Sequence, residues 1–238
     1  KNYTVFTAVP TIYFSLIEEM QQMDKNELLK LSNKFQKMRL VMSGSAALAS
    51  VIHSKWAELT DQIILERYGM TEIGMAISNP YRGERRAGSI GLPLPNVEIC
   101  LLDKEKFIKE ENIPGEIMVK GPQVFLEYWG KPVETNKCFK DGWFKTGDIA
   151  LMEKGYFRIL GRESLDIINS GGYKISSLEI ENFLLSHPKI KECAVVGIQD
   201  EKWGELVAAA IVTIKKEIIT LEELEEWGSN LISSYKFP

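Results

Sequence analysis

Residues 63–72 read IILERYGMTE. A short β-rich apolar run, Ile63 to Leu65, leads through Glu66 into the hexapeptide Arg67-Tyr68-Gly69-Met70-Thr71-Glu72. An apolar strand that ends in an aromatic ring, a glycine, a hydroxyl and a carboxylate is what an open α/β sheet presents where strands deliver ligand-binding groups at their ends. On this reading the strand stops at Leu65 and the hexapeptide forms a loop around Tyr68. The ring can stack on a base, Thr71 can bond a phosphate oxygen, and Glu72 can help hold Mg2+. Alone, the hexapeptide reads equally well as a plain turn, so its surroundings decide.

Upstream, Pro10-Thr11 opens a helix to about Met23, with Ile12, Leu16, Ile17 and Met20 on one face. Met38 to Met42 is a short apolar run followed by Gly44-Ser45, and Ala47 to Leu59 returns to helical spacing. This alternation of short strands and amphipathic helices specifies the α/β class. From about Gly91 the pattern turns to strands, at Val97 to Leu102, Glu116 to Lys120 and Gly155 to Leu160. A boundary follows Gly161-Arg162, dividing the chain into residues 1–162 and 163–238. The second part reads as a small α/β unit: a helix from Ser177 to Ser186, strands Cys193 to Ile198 and Val207 to Ile214, and a helix from Leu221 to Ile232. Ser176 with Glu179 and Thr220 with Glu223 have capping-box spacing. A unit of this kind calls for a further strand, and the opening residues read as mid-domain, so both ends read as cuts.

The composition excludes several functions. Hydrophobic residues make up 45% and charged residues 26% of the 238, the balance of a globular domain rather than a disordered chain. The net charge of -4 gives nucleic acid no basic field to follow. Cys100, Cys138 and Cys193 are sparse and without metal-ligand spacing, which argues against a disulfide framework. His53 and His187 are the only histidines, so histidine-based metal sites and catalytic triads have little to draw on. No apolar run is long enough to span a membrane.

Four further loop-like segments lie near strand candidates: Ser43-Gly44-Ser45-Ala46-Ala47-Leu48, Gly142 to Asp148, Gly161-Arg162 and Gly171-Gly172-Tyr173-Lys174. Gly44 lets the backbone approach a flat base. Asp148, held by a tight Thr146-Gly147 turn, offers two oxygens to a ribose diol, and Arg162 suits the same sugar or a phosphate. Singly, each has a blander reading, as a turn acid or a surface cation.

The stretches VPTIYFSLI, SGSAAL, RYGMTE, GSIGLPLP, GEIMVKGPQVFLEYW, DGWFKTGDIA and GRESLDIINSGGYKISSLEIE resemble, in order and spacing, those of the ANL superfamily. That superfamily comprises acyl-CoA synthetases, adenylation domains of peptide synthetases, and luciferases. The resemblance implies the C-terminal half of a large adenylate-forming domain followed by an incomplete small C-terminal domain. It also implies ATP, Mg2+ and coenzyme A as reactants or cofactors. By the same resemblance Ser45 and Ala46 line the adenine pocket, Tyr68 stacks on adenine and Thr71 touches phosphate. Glu72 serves Mg2+, making Thr71 and Glu72 the catalytic pair, while Asp148 and Arg162 hold the ribose. The Gly171-Gly172 loop lines the pantetheine passage, and Ser164 or Asp166 takes the place of the hinge.

Within the superfamily the nearest resemblance is to malonyl-CoA synthetases, carried by ERYGMTEIGMAISNPYRGERRAGSIG and DIINSGGYKISSLEIE. Arg67, with Met75, falls beside the acyl pocket. A dicarboxylate brings a second charge that is costly to bury unpaired, and an arginine answers it with two parallel hydrogen bonds. Two alternatives stay open: a monocarboxylate ligase in which Arg67 is a scaffold partner of Glu66 or another acid, and a non-catalytic module binding nucleotide or acyl-CoA. Two superfamily elements, the glycine-rich phosphate loop and the C-terminal lysine, have no counterpart in these residues, so the chain alone is expected to be inactive. The resemblance points to the mitochondrial matrix, with the cytoplasm as the alternative.

Overall fold

Proline cannot donate a backbone hydrogen bond, but at the first helical position none is required. Accordingly the first helix, α1, starts at Pro10 and runs Pro10–Gln22, directly after strand β1 (Val5–Ala8). The computed structural model describes residues 3–108, 110–214 and 217–238. It divides into two compact units, one ending at Ile159 and the other beginning at Leu160.

In the first unit α1 is followed by α2 (Lys25–Gln36), β2 (Leu40–Ser43), α3 (Ser50–Thr60) and β3 (Leu65–Met70). β1, β2 and β3 are parallel neighbours. α2 is not announced by apolar periodicity, because only Phe35 on it is buried. It forms where the Asp24 side chain accepts the backbone N–H groups of Asn26 and Glu27 at its start. The core of this layer closes around Trp56, with Phe35 and Tyr13 meeting its ring edge-on at 4.7 and 4.9 Å. The Tyr13 hydroxyl donates to the Met42 carbonyl at 2.7 Å, so a buried phenol brings no unsatisfied group inside. His53 is used structurally too, its Nε2 lying 3.1 Å from the Ile64 carbonyl.

β4 (Gly74–Ser78) folds back antiparallel on β3, and β5 (Leu92–Pro93) completes the five-stranded sheet in chain order. The expected loop around Tyr68 is therefore corrected: Arg67 to Met70 are strand. Arg67 pairs with Ser78 and Tyr68 with Ile77, so a partner strand supplies the backbone bonds that a loop would have left to water.

β6 (Glu98–Asp103), β7 (Lys106–Ile108), β8 (Gly115–Lys120), α4 (Pro132–Lys137), β9 (Phe139–Lys140), β10 (Trp143–Glu153) and β11 (Tyr156–Arg162) come next. Their sheet has the order β11-β10-β8-β6-β7, with β9 on β10. The segment from Trp143 to Asp148, expected as a loop, lies inside β10. Its looped character survives as a register shift between Lys145 and Ile149 against β8.

The second unit contains β12 (Ile167–Ser170), β13 (Tyr173–Ser176), α5 (Ser177–Leu185), β14 (Ile190–Asp200), β15 (Gly204–Thr213) and α6 (Leu221–Gly228). Strand order is β13-β12-β15-β14, and the core includes Ile175, Ile180, Leu184 and Leu224. Ser176 Oγ accepts from Glu179 N at 3.1 Å and Thr220 Oγ1 from Glu223 N at 3.2 Å. The glutamates also reach outward, Glu179 to Lys236 at 2.7 Å and Glu223 to Lys189 at 2.5 Å. α6 stops at Gly228, short of the expected Ile232, where Phe183 and Phe237 crowd the space a Cβ would fill. None of the three cysteines forms a disulfide, and among the described residues no helix is long and apolar enough to cross a membrane.

Candidate functional site

Tyr68, from β3, and Asp148, from β10, meet in the first unit. The phenol donates to Asp148 Oδ2 at 2.7 Å, and each residue is only 8% exposed. The bulge in β10 aims the carboxylate. Gly147 takes a positive φ of 74° there, and its N–H donates to Glu116 Oε1 at 2.9 Å. Thr146 Oγ1 donates to the Ile117 carbonyl at 2.9 Å and accepts from Asp148 N at 3.1 Å. Glu116 is thus a supporting residue that the motif reading passed over. Its visible signal is an acid inside the apolar run of β8.

Thr71 and Glu72 occupy the turn between β3 and β4, Thr71 exposed and Glu72 half-buried. The turn is tight because Gly69 has no side chain: a Cβ there would overlap the Gly74 carbonyl oxygen. Glu72 is held twice by one segment of the chain. Its carbonyl accepts from Phe125 N at 2.7 Å, and its Oε1 accepts from the Tyr128 hydroxyl at 2.8 Å. Desolvation, and then the bond to Glu72, push the Tyr128 hydroxyl up to about 12, so it remains a donor at neutral pH. Met75 is exposed on β4, opposite Gly69.

Beside this hairpin lies the turn between β2 and α3. A Cβ on Gly44 would sit 2.6 Å from Arg67 Cζ, so only glycine lets the guanidinium rest there. Ser45, exposed with φ of 73°, and exposed Ala46 follow directly. Arg67 Nε is buried without a hydrogen-bond partner. Glu66 is not its partner. The Glu66 carboxylate instead accepts from Gly88 N at 3.1 Å and from the Leu48 backbone. Burial pushes it up to about 8.

In the second unit Arg162, Ser164 and Asp166 share one turn. Arg162 N donates to Asp166 Oδ2 at 2.7 Å, Asp166 N returns to the Arg162 carbonyl at 2.8 Å, and Ser164 is exposed between them. Gly171 and Gly172 form the two-residue hairpin turn from β12 to β13, with φ of 56° and 84°. Gly171 N donates to the Trp203 carbonyl at 2.9 Å.

Among the described residues no three His, Cys, Asp or Glu side chains cluster as a protein-only metal site. Glu72 does fit a hard cation shared with a nucleotide. It offers oxygen, its Oε2 is not taken by Tyr128, and Mg2+ is commonly held by one or two carboxylates plus substrate phosphates.

Comparison with known proteins identifies the family. The family described as AMP-binding enzyme matches residues 1–129, and the AMP-binding enzyme C-terminal domain matches residues 179–238. A malonate–CoA ligase of Arabidopsis thaliana is 46% identical, with 100% of this chain covered and 40% of the relative. A mitochondrial malonate–CoA ligase of Homo sapiens is 42% identical, with 98% of this chain and 45% of the relative covered. The chain thus spans less than half the length of these curated relatives. Among solved structures, ATP-bound MatB from Rhodopseudomonas palustris superposes with a TM-score of 0.88 at 36% identity, over 99% of this chain and 46% of that one. A malonyl-CoA ligase holding methylmalonyl-CoA and AMP gives 0.62 at 39% identity, over 99% and 50%.

Proposed function

The chain belongs to the AMP-binding enzyme family, and on that premise we propose that the whole protein is an ATP-dependent malonate–CoA ligase. In the first step a malonate carboxylate oxygen attacks the α-phosphorus of ATP, and pyrophosphate leaves. In the second, the thiol of coenzyme A attacks the acyl carbon of malonyl-adenylate, and AMP leaves.

The observation that carries this reading is the arginine on β3. Its Nε is buried and without a partner, one residue from a tyrosine that bonds a carboxylate 80 positions away in sequence. Within the reading, Arg67 receives the non-reacting carboxylate of malonate, with exposed Met75 on the same hairpin beside the acyl chain. Tyr68, Ser45 and Ala46 take the adenine, Asp148 takes the ribose hydroxyls, and Thr71 a phosphate oxygen. Glu72 holds the Mg2+, which when bound supplies charge neutralisation on the triphosphate. For the second unit we propose that the Gly171-Gly172 turn, free of side chains, passes the pantetheine arm of coenzyme A. The malonate ligases named above support the substrate, and the mitochondrial name of the human relative supports a mitochondrial site.

The test is pyrophosphate release by the intact protein with malonate, methylmalonate, acetate and octanoate. Malonate should be preferred. Arg67→Ala should lower kcat/KM for malonate on the order of 100-fold, the scale of an unpaired buried charge. Preference for a monocarboxylate, with malonate turnover untouched by Arg67→Ala, would transfer the protein to a monocarboxylate ligase in which Arg67 is scaffold.

A further inference from the structure

Glu72 stands on a tight turn, and a glutamate so placed has three side-chain torsions to fix before both of its oxygens are useful. The segment after β8 fixes them. Phe125 N holds the Glu72 carbonyl at 2.7 Å, which sets the backbone, and the Tyr128 hydroxyl holds Oε1 at 2.8 Å, which sets the carboxylate. Tyr128 is itself immobilised. Its N–H donates to Thr135 Oγ1 at 3.0 Å, and its ring packs 4.7 Å from that of Phe125. Phe125 in turn stacks on Phe139 at 5.7 Å and meets Phe144 edge-on at 5.4 Å. An aromatic cluster beside the antiparallel sheet therefore reaches, through one phenol, to a carboxylate on the β3–β4 hairpin of the mixed sheet.

We propose that Tyr128 is a positioning residue: by donating to Oε1 it presents Glu72 Oε2 to the divalent cation that accompanies the nucleotide. This rests on the AMP-binding reading of the hairpin and names a residue outside its motif. Groups that orient a ligating carboxylate commonly change metal affinity 10- to 100-fold when removed. Tyr128→Phe keeps the ring and its packing and deletes only the donor.

The experiment is Mn2+ binding to the intact protein, read by electron paramagnetic resonance with α,β-methylene-ATP present. Wild type, Tyr128→Phe, Glu72→Gln and the double variant are compared. Tyr128→Phe should bind Mn2+ about tenfold more weakly with an unchanged melting temperature. The double variant should bind no more weakly than Glu72→Gln alone, because Tyr128 acts only through Glu72. Wild-type affinity in Tyr128→Phe, or a further loss in the double variant, overturns the proposal, as does a Mn2+ affinity indifferent to Glu72→Gln. Should Tyr128→Phe not fold, Tyr128→Leu, which also lacks the donor and leaves Glu72 unaltered, must show the same tenfold loss. Malonate-dependent pyrophosphate release by the wild type is followed separately. A Tyr128-dependent Mn2+ site without malonate turnover sinks the substrate assignment and leaves the positioning role standing.

Discussion

Glu66 is only 6% exposed, and its carboxyl is held by backbone N–H groups of Gly88 and Leu48 while burial raises it to about 8 from a reference of 4.5. The consequence for stability follows from proton counting. Below pH 4.5 both folded and unfolded chains are protonated there. Between 4.5 and 8 the folded chain keeps a proton that the unfolded chain has lost. Stability must therefore fall as pH rises through that window, by up to about 1.4 kcal/mol per pH unit, and level off above it. Urea unfolding at pH 5, 6, 7 and 8 should show that decline in the wild type and a flatter profile in Glu66→Gln. Parallel profiles would mean that Glu66 is ionised in the fold. Residues whose side chain carries its own chemistry, such as Tyr68, Asp148 and Arg67, could be picked out from the sequence by type and order. Tyr128, Glu66 and Glu116 could not, because each matters through a partner 56, 22 or 31 positions away.

The β3–β4 hairpin shows what the sequence leaves open about elements. Apolar patterning puts the strand at Ile63 to Leu65, whereas β3 begins only at Leu65, and the pairing with β4 that carries it on to Met70 is not visible in that pattern. β10 was obscured in the same way, since a bulge at Thr146–Asp148 interrupts the alternation that marks a strand. Helix starts were more legible because caps are local: Pro10, Ser176 and Thr220 all stand where their helices begin. The hairpin yields a sharp expectation. Gly69→Ala would drive a methyl group into the Gly74 carbonyl oxygen and should cost about 1–3 kcal/mol in urea unfolding, as overpacking does. Gly130→Ala serves as the control, because nothing lies within 4 Å of its Cβ position. It should lose only about 1 kcal/mol, from a positive φ of 68°. Equal losses would mean that the close approach at Gly69 is not what holds the turn.

At the scale of the molecule, strand–helix alternation followed by a β-rich stretch was enough to name an α/β chain. Convergence of distant segments was legible only as an ordered series of motifs. The fold supplies the geometry: two sheets in the first unit bring Tyr68 and Asp148 within 2.7 Å, and parallel neighbours β2 and β3 put Gly44 against Arg67. The decisive measurement is a crystal structure of the intact protein soaked with AMP. Density for adenosine should lie between the Tyr68 ring and the Ser45-Ala46 turn, with a ribose hydroxyl on Asp148. AMP bound elsewhere, with these groups untouched, would contradict the account at its root.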